Sequence, residues 1–141
     1  MSFFDTPAAL ETISQRHTGY LGVRFHAHGD SWVELALPWR EDLVGVPASG
    51  VLASGPIISL LDTAAGMAVT ARNGARIKTA TLDLRIDYMR AARKGLTVIA
   101  RAECYRITRT VAFVTGLAHE GDPQHPVAHA AGSFMLMNSP A

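Results

Sequence analysis

The sequence predicts an α+β fold in which an antiparallel β-sheet wraps around one central hydrophobic α-helix. Three observations predict it. Residues 55–73 read as a helix whose apolar positions run almost all the way round, so other structure must enclose it. From Thr79 the hydrophobic period drops to two, the signature of strands, and the pattern continues to Met137. At 141 residues and 48% hydrophobic, the chain fits one compact domain with a real core, and no repeat, linker or low-complexity tract divides it.

The elements follow in order. Residues 6–18 read as a short helix, with Thr6 as its cap, Pro7 in its first turn, Leu10 and Ile13 on its apolar side and Gly19 closing it. Residues 31–37 read as a strand, because Val33, Leu35 and Leu37 alternate with Glu34 and Ala36, and Pro38 ends it. Gly45, Pro47, Ser49 and Gly50 make 39–53 a loop. Ser54-Gly55-Pro56 is a helix-start signature, since proline supplies no amide where none is needed, and Asn73-Gly74 ends the central helix. Four strands are expected after it, over 77–89, 95–107, 111–119 and 126–137, joined as a meander. In the first of these, Ala80, Leu82, Leu84, Ile86 and Tyr88 share one face, opposite Thr81, Asp83, Arg85 and Asp87. Open sheet edges and an exposed helix flank favour pairing of two protomers.

Composition excludes several classes of function. A net charge of +1 lacks the broad cationic face of a nucleic-acid binder. Charge is nonetheless uneven: Arg72 to Arg109 holds ten basic residues against Asp83, Asp87 and Glu103, and no Lys or Arg follows. That region either meets an anion or is a solvated strand face. Cys104 stands alone, so no internal disulfide forms; a reducing, cytoplasmic setting is expected, with an inert thiol on an inward strand face. No signal peptide is read, and 51–71 contains Asp62, a carboxylate costly in lipid, so no membrane span is expected. The six histidines form no metal pattern. His26 and His28 sit one residue apart without an evident third ligand, and His119, His125 and His129 lack a cysteine partner, so no metal is expected. Ser59 and Ser133 lack a nucleophile-elbow context.

Three blocks are more specific. They are Gly50-Val51-Leu52-Ala53-Ser54-Gly55 leading into Leu60-Leu61-Asp62-Thr63-Ala64; Thr81 to Ala92; and Arg109-Thr110-Val111-Ala112-Phe113. In this order and at this spacing the chain resembles the hotdog-fold acyl-CoA thioesterases, in the branch of phenylacetyl-CoA and 4-hydroxybenzoyl-CoA thioesterases, from about Leu43 to Met137. The resemblance implies hydrolysis of an acyl- or aryl-CoA thioester by a homodimer or homotetramer. Coenzyme A would be part of the substrate, and no separate cofactor is implied.

Asp62 is the first catalytic candidate. It lies about two turns into an apolar helix, where a carboxylate must be paired, protonated or used. A carboxylate can attack a thioester carbonyl or take a proton from water, and the sequence leaves both open beside a purely structural role. The helix start at Ser54 and Gly55 is the complementary element, since free amides reinforced by the helix dipole can hold a developing oxyanion. In the family that donor belongs to a His-Gly-Gly motif; the matching positions here are Ala53, Ser54 and Gly55, and a family Asn aligns with Pro47. The amide survives those changes, while the imidazole and the carboxamide do not. The Ser54 hydroxyl either compensates or merely caps the helix. By the same resemblance Thr81 would help to position the attacking water; a commonplace strand threonine is the other possibility. Arg90, Arg93, Lys94, Arg106 and Arg109 are the candidates for the phosphates of CoA, because guanidinium forks suit such anions, although exposed arginines in turns are commonly just surface. Tyr88, Phe113 and Trp39 are candidates for the acyl or adenine pocket, or for the core. A non-hydrolytic acyl-CoA-binding protein is the alternative, favoured by the missing His and Asn; a dehydratase would need a histidine near the helix start, and there is none.

Overall fold

The computed structural model describes residues 2–5 and 7–137; the Thr6 cap lies outside them. A 3-10 turn (Phe3–Asp5) precedes two short helices, α1 (Pro7–Ser14) and α2 (Arg16–Leu21). Gly19 does not end a single helix. The break comes earlier, at Gln15, which is extended, and Arg16, whose φ is 55°. Gly22 closes α2 in the left-handed conformation, its amide donating to the carbonyls of Gly19 and Thr18.

Two hairpin strands follow, β1 (Arg24–His28), which the sequence pattern did not reveal, and β2 (Trp32–Leu37). The expected loop contains a 3-10 turn at Glu41–Leu43 and a small ribbon of β3 (Val44–Val46) and β4 (Val51–Leu52). Then comes α3 (Ser54–Asn73), and after it β5 (Lys78–Tyr88), β6 (Val98–Ile107), β7 (Val111–His119) and β8 (Ala128–Met137).

The α3 helix is the centre of the core. It starts after the extended Ala53 and ends at Gly74 (φ 78°), whose amide donates to the carbonyls of Ala71 and Thr70. Ile57, Leu60, Leu61, Ala64, Ala68 and Val69 are buried on it. It packs chiefly on β6, β2 and β7, and less on β5. Against it the sheet presents Val33, Leu35, Leu37, Val98, Ala100, Ala102, Val114 and Phe134, all buried. Cys104 is buried with them, and burial pushes its thiol up, so it is protonated and inert.

The six strands are antiparallel in the order β1-β2-β6-β7-β8-β5. Only β6, β7 and β8 form a meander. The expected pairing of β5 with β6 is replaced by β5 with β8, and β2 takes the free edge of β6. The cause is burial. Val33, Leu35 and Leu37 lie opposite Ala102, Ala100 and Val98, so β2 completes the surface that α3 needs. A four-strand meander would leave that apolar stripe uncovered.

The segment from β5 to β6 must therefore cross the ends of β8 and β7. Glu120, just after β7, fastens it. Its side chain is 1% exposed. It accepts from Arg90 Nη1 at 2.6 Å, from Arg93 Nε at 2.8 Å and from the Arg93 amide at 3.0 Å. Arg90 also donates to the His125 carbonyl at 2.9 Å. Burial pushes the Glu120 carboxyl up, but the hydrogen bonds from Arg93 and Arg90 outweigh it and hold it below the ordinary glutamate range. A depressed native value contributes stability that is complete above the unfolded value, about 4.3, and is lost as pH falls through the native one. Glu120→Gln is therefore expected to lower unfolding free energy by about 2 kcal/mol near neutral pH. Urea midpoints should show the gap closing as pH falls below the ordinary glutamate range and Glu120 itself becomes protonated.

Candidate active site

The site lies where α3 faces β5. A strict alternation along β5 would put Thr81 and Tyr88, seven residues apart, on opposite faces of the sheet. Both instead reach α3. Thr81 Oγ1 donates to Asp62 Oδ1 at 2.8 Å, and the Tyr88 hydroxyl donates to the Ser54 carbonyl at 2.9 Å. A β-bulge between Thr81 and Asp83, opposite Phe134 and Ser133 of β8, resets the parity. Leu82 is the extra residue and is exposed. The expected face of Ala80, Leu82, Leu84, Ile86 and Tyr88 is thereby corrected: Thr81 joins Leu84, Ile86 and Tyr88 on the helix side.

Asp62 is half-buried and lines a groove of about 320 Å³. Thr81, Gly66, Met67, Ile77 and Phe134 are among the other walls, with Phe3 from the N-terminal 3-10 turn. Oδ2 of Asp62 has no protein hydrogen bond among the described residues. The carboxylate is thus fixed through one oxygen and available through the other. Gly66, Met67, Ile77, Phe134 and Phe3 are groove residues that the sequence reading does not name; for Gly66 a signal exists in its place one turn beyond Asp62.

The helix start lies at the other end of β5. Ser54 and Gly55 are the first two residues of α3, both exposed, and their amides have no partner within the helix by construction. A Cβ built on Gly55 would meet nothing within 4 Å. No side chain caps this terminus, and the cap position is Ala53, so the Ser54 hydroxyl is not an ordinary helix cap. Burial pushes the Tyr88 phenol up, so it stays neutral and donates to Ser54. Eight residues of helix rise separate Ser54 from Asp62, about 12 Å. In one protomer the carboxylate and the helix-start amides cannot grip the same carbonyl group.

The five basic candidates divide between two ends of the sheet. Arg90, Arg93 and Lys94 lie at the end of the helix start, the first two clamped on Glu120 and the Lys94 stem against Gly50. Arg106 and Arg109 lie at the opposite end, where β6 turns into β7 and where Arg72 of α3 donates to the Cys104 carbonyl. They do not converge, because the ten residues of β6 run between them. Trp39 is spent on structure, its Nε1 donating to the Gly50 carbonyl at 2.8 Å. Phe113 stands with Tyr105 on the sheet face away from α3, at 6.5 Å between rings.

The histidines are dispersed. A bulge in β1 turns His26 toward Glu34, while His28 packs on Phe4 and Phe25 beside Asp5. Ser59 Oγ meets His17 Nε2 at 2.8 Å, but among the described residues no carboxylate orients that imidazole.

Comparison with known proteins agrees with this fold. A family model described as the thioesterase superfamily matches residues 49–126, more than half of the chain. The medium/long-chain acyl-CoA thioesterase YigI of Salmonella typhimurium is 28% identical over 129 residues, covering 82% of either chain. A crystal structure of a Pseudomonas aeruginosa protein is 40% identical with a TM-score of 0.80, over 88% of this chain and 92% of that one. The E. coli PaaI protein of the phenylacetic acid degradation operon has the same fold, with a TM-score of 0.80 at 17% identity, over 93% and 91% of the two chains. The chain belongs to the thioesterase superfamily and has its hotdog fold.

Proposed function

We propose that the protein hydrolyses an acyl-CoA thioester to a free acid and CoA, with Asp62 as general base. The observation that carries this is the Asp62 carboxylate, held by Thr81 at the margin of an apolar helix and open to a groove through its second oxygen. Asp62 takes a proton from water as the water attacks the thioester carbonyl carbon. The Thr81 hydroxyl, donating to Asp62, keeps lone pairs with which to hold that water. The tetrahedral intermediate then collapses, the C–S bond breaks, and the thiolate leaves as CoA after accepting the proton.

The oxyanion needs donors that Asp62's own protomer cannot bring within reach. A second copy supplies them. The β5 strand is eleven residues long, is one of the two edge strands of the sheet, and ends at the exposed Tyr88, followed by the exposed Met89. Antiparallel self-pairing of two such edges about Leu84 and Arg85 would set the Thr81–Asp62 end of one protomer against the Tyr88–Ser54 end of the other. The Ser54 and Gly55 amides of the partner would then face the substrate carbonyl. Lys94 and the outer sides of Arg90 and Arg93, beside that helix start, are the assigned contacts for the CoA phosphates, in preference to Arg106 and Arg109. The lone buried Cys104 suits a reducing cytoplasm.

Asp62→Asn should lower the rate of thiol release from acyl-CoA by about 10²–10⁴-fold, with the circular dichroism spectrum unchanged. Tight ester binding with no thiol release by the unaltered protein would instead identify a binding protein. Thr81→Val should cost about tenfold, the rate equivalent of one hydrogen bond to a charged group. Ser54→Pro deletes one amide at a helix position that tolerates proline. Alone it should be nearly inactive, but chains carrying Ser54→Pro and chains carrying Asp62→Asn, unfolded and refolded together, should recover about a quarter of the activity through hybrid dimers. No recovery would exclude a site shared between protomers.

A further inference from the structure

We infer that the outer face of the sheet, turned away from α3, is a contact between copies of this chain. Its occupant is the same face of a second copy, turned over about a two-fold axis that runs across the strands. The strand registers set two rows of residues on this face. In one row Arg101, Leu117, His129 and Asp87 lie opposite one another across β6, β7, β8 and β5. In the other, two residues along each strand, stand Glu103, Thr115, Ala131 and Arg85. Both rows line one shallow hollow of about 480 Å³. Ala100, Ala102 and Cys104, which alternate with them on β6, are buried on the helix side. No residue of either row lines the Asp62 groove, so this contact stands apart from the hydrolase reading.

The two rows are complementary in charge and in size. One runs from a cation to an anion with large residues between them; the other runs from an anion to a cation with small ones. A two-fold across the strands lays each row on the other row of the second copy. Arg101 then meets a Glu103 and Arg85 meets an Asp87, while Leu117 and His129 settle over Thr115 and Ala131. A two-fold along the strands would also pair the charges, but it would set leucine against histidine and threonine against alanine. Size therefore selects the axis. Sheets packed face to face stand about 10 Å apart, within reach of two long charged side chains. Within one chain Arg85 meets Asp87 at 3.2 Å, and Arg101 meets Glu34 at 3.0 Å and lies over the Trp32 ring. The exposed Glu103 accepts from the Ser31 hydroxyl at 3.5 Å. Exposed pairs contribute little singly; a second copy gives each arginine another carboxylate and joins the pairs into networks.

Eight residues are fewer than the roughly 20–30 a side of a stable interface. The β5 edge pair doubles the face. Its two-fold is normal to the sheet, so two outer faces lie side by side, and the axis across the strands is perpendicular to it. Two such pairs, stacked on these faces, close into a particle of four chains.

The test is particle mass by light scattering at equal chain concentration, with circular dichroism to confirm folding. Glu103→Arg sets like charges over one another and should halve the particle, from four chains to two. Exchanging the charges, with Arg101→Glu and Glu103→Arg in one chain, should restore four. Under a two-fold along the strands the same exchange would oppose like charges at both ends and restore nothing. Ala131→Tyr fills the seat of His129 without a change of charge and should also halve the particle; it carries the test if Glu103→Arg does not fold. An unaltered protein of two chains that falls to one in Glu103→Arg would keep this contact and remove the β5 pair. An unaltered protein of two chains that stays at two would leave the β5 pair and overturn the contact. A monomer would overturn it, as would four chains that survive either single variant or an exchange that fails to reassemble.

Discussion

Everything in this molecule depends on burying α3. A helix apolar on nearly every side cannot stand at a surface, so the sheet must curl around it, and the strands are chosen by how well they cover it. The same constraint makes Asp62 conspicuous. Within a helix that gives its neighbours Leu61 and Ala65 to the core, the one acidic residue sits at the margin between α3 and β5, where the cover is thinnest. A carboxylate deeper in would lack solvation, and one further out would lack definition. At this margin a single hydroxyl fixes it and the groove remains open to it.

Two irregularities make that margin possible. The bulge at Leu82 inverts the parity of half of β5, which brings Thr81 to the helix while Leu84, Ile86 and Tyr88 still face it. The crossover from β5 to β6 puts β5 at the edge of the sheet and requires a loop that spans the ends of two strands. Glu120 holds that loop by gathering Arg90 and Arg93. Two of the arginines that look poised for phosphates thus share their charge with a buried carboxylate. The loop that places them is also the one that leaves β5 at an edge of the sheet.

The departures from the family motif fall in one place. Ala53 stands where the family has histidine, and Pro47, where it has asparagine, lies in the tight connection between β3 and β4. What remains at the helix start is backbone, the amides of Ser54 and Gly55, uncapped and exposed. Amides at a helix terminus need no side chain to act as donors, so the absence of the imidazole leaves them in place.

The sequence by itself determined what depends on period and local chemistry. The all-round apolar run predicts α3, the two-residue alternation predicts the strands, and an acidic residue inside that run marks Asp62. Even Gly74, which ends α3, is legible, because a left-handed residue there is cheap only for glycine. Only the tertiary structure decided which strand pairs with which, since Val33, Leu35 and Leu37 of β2 can be matched to β6 only once both cover the same helix. It decided the face of Thr81, because a bulge is a property of two strands and leaves no periodic trace in one. It decided the fate of Arg90 and Arg93, whose partner Glu120 is distant in sequence, and the separation of Ser54 from Asp62, which one helix fixes and no single protomer can close.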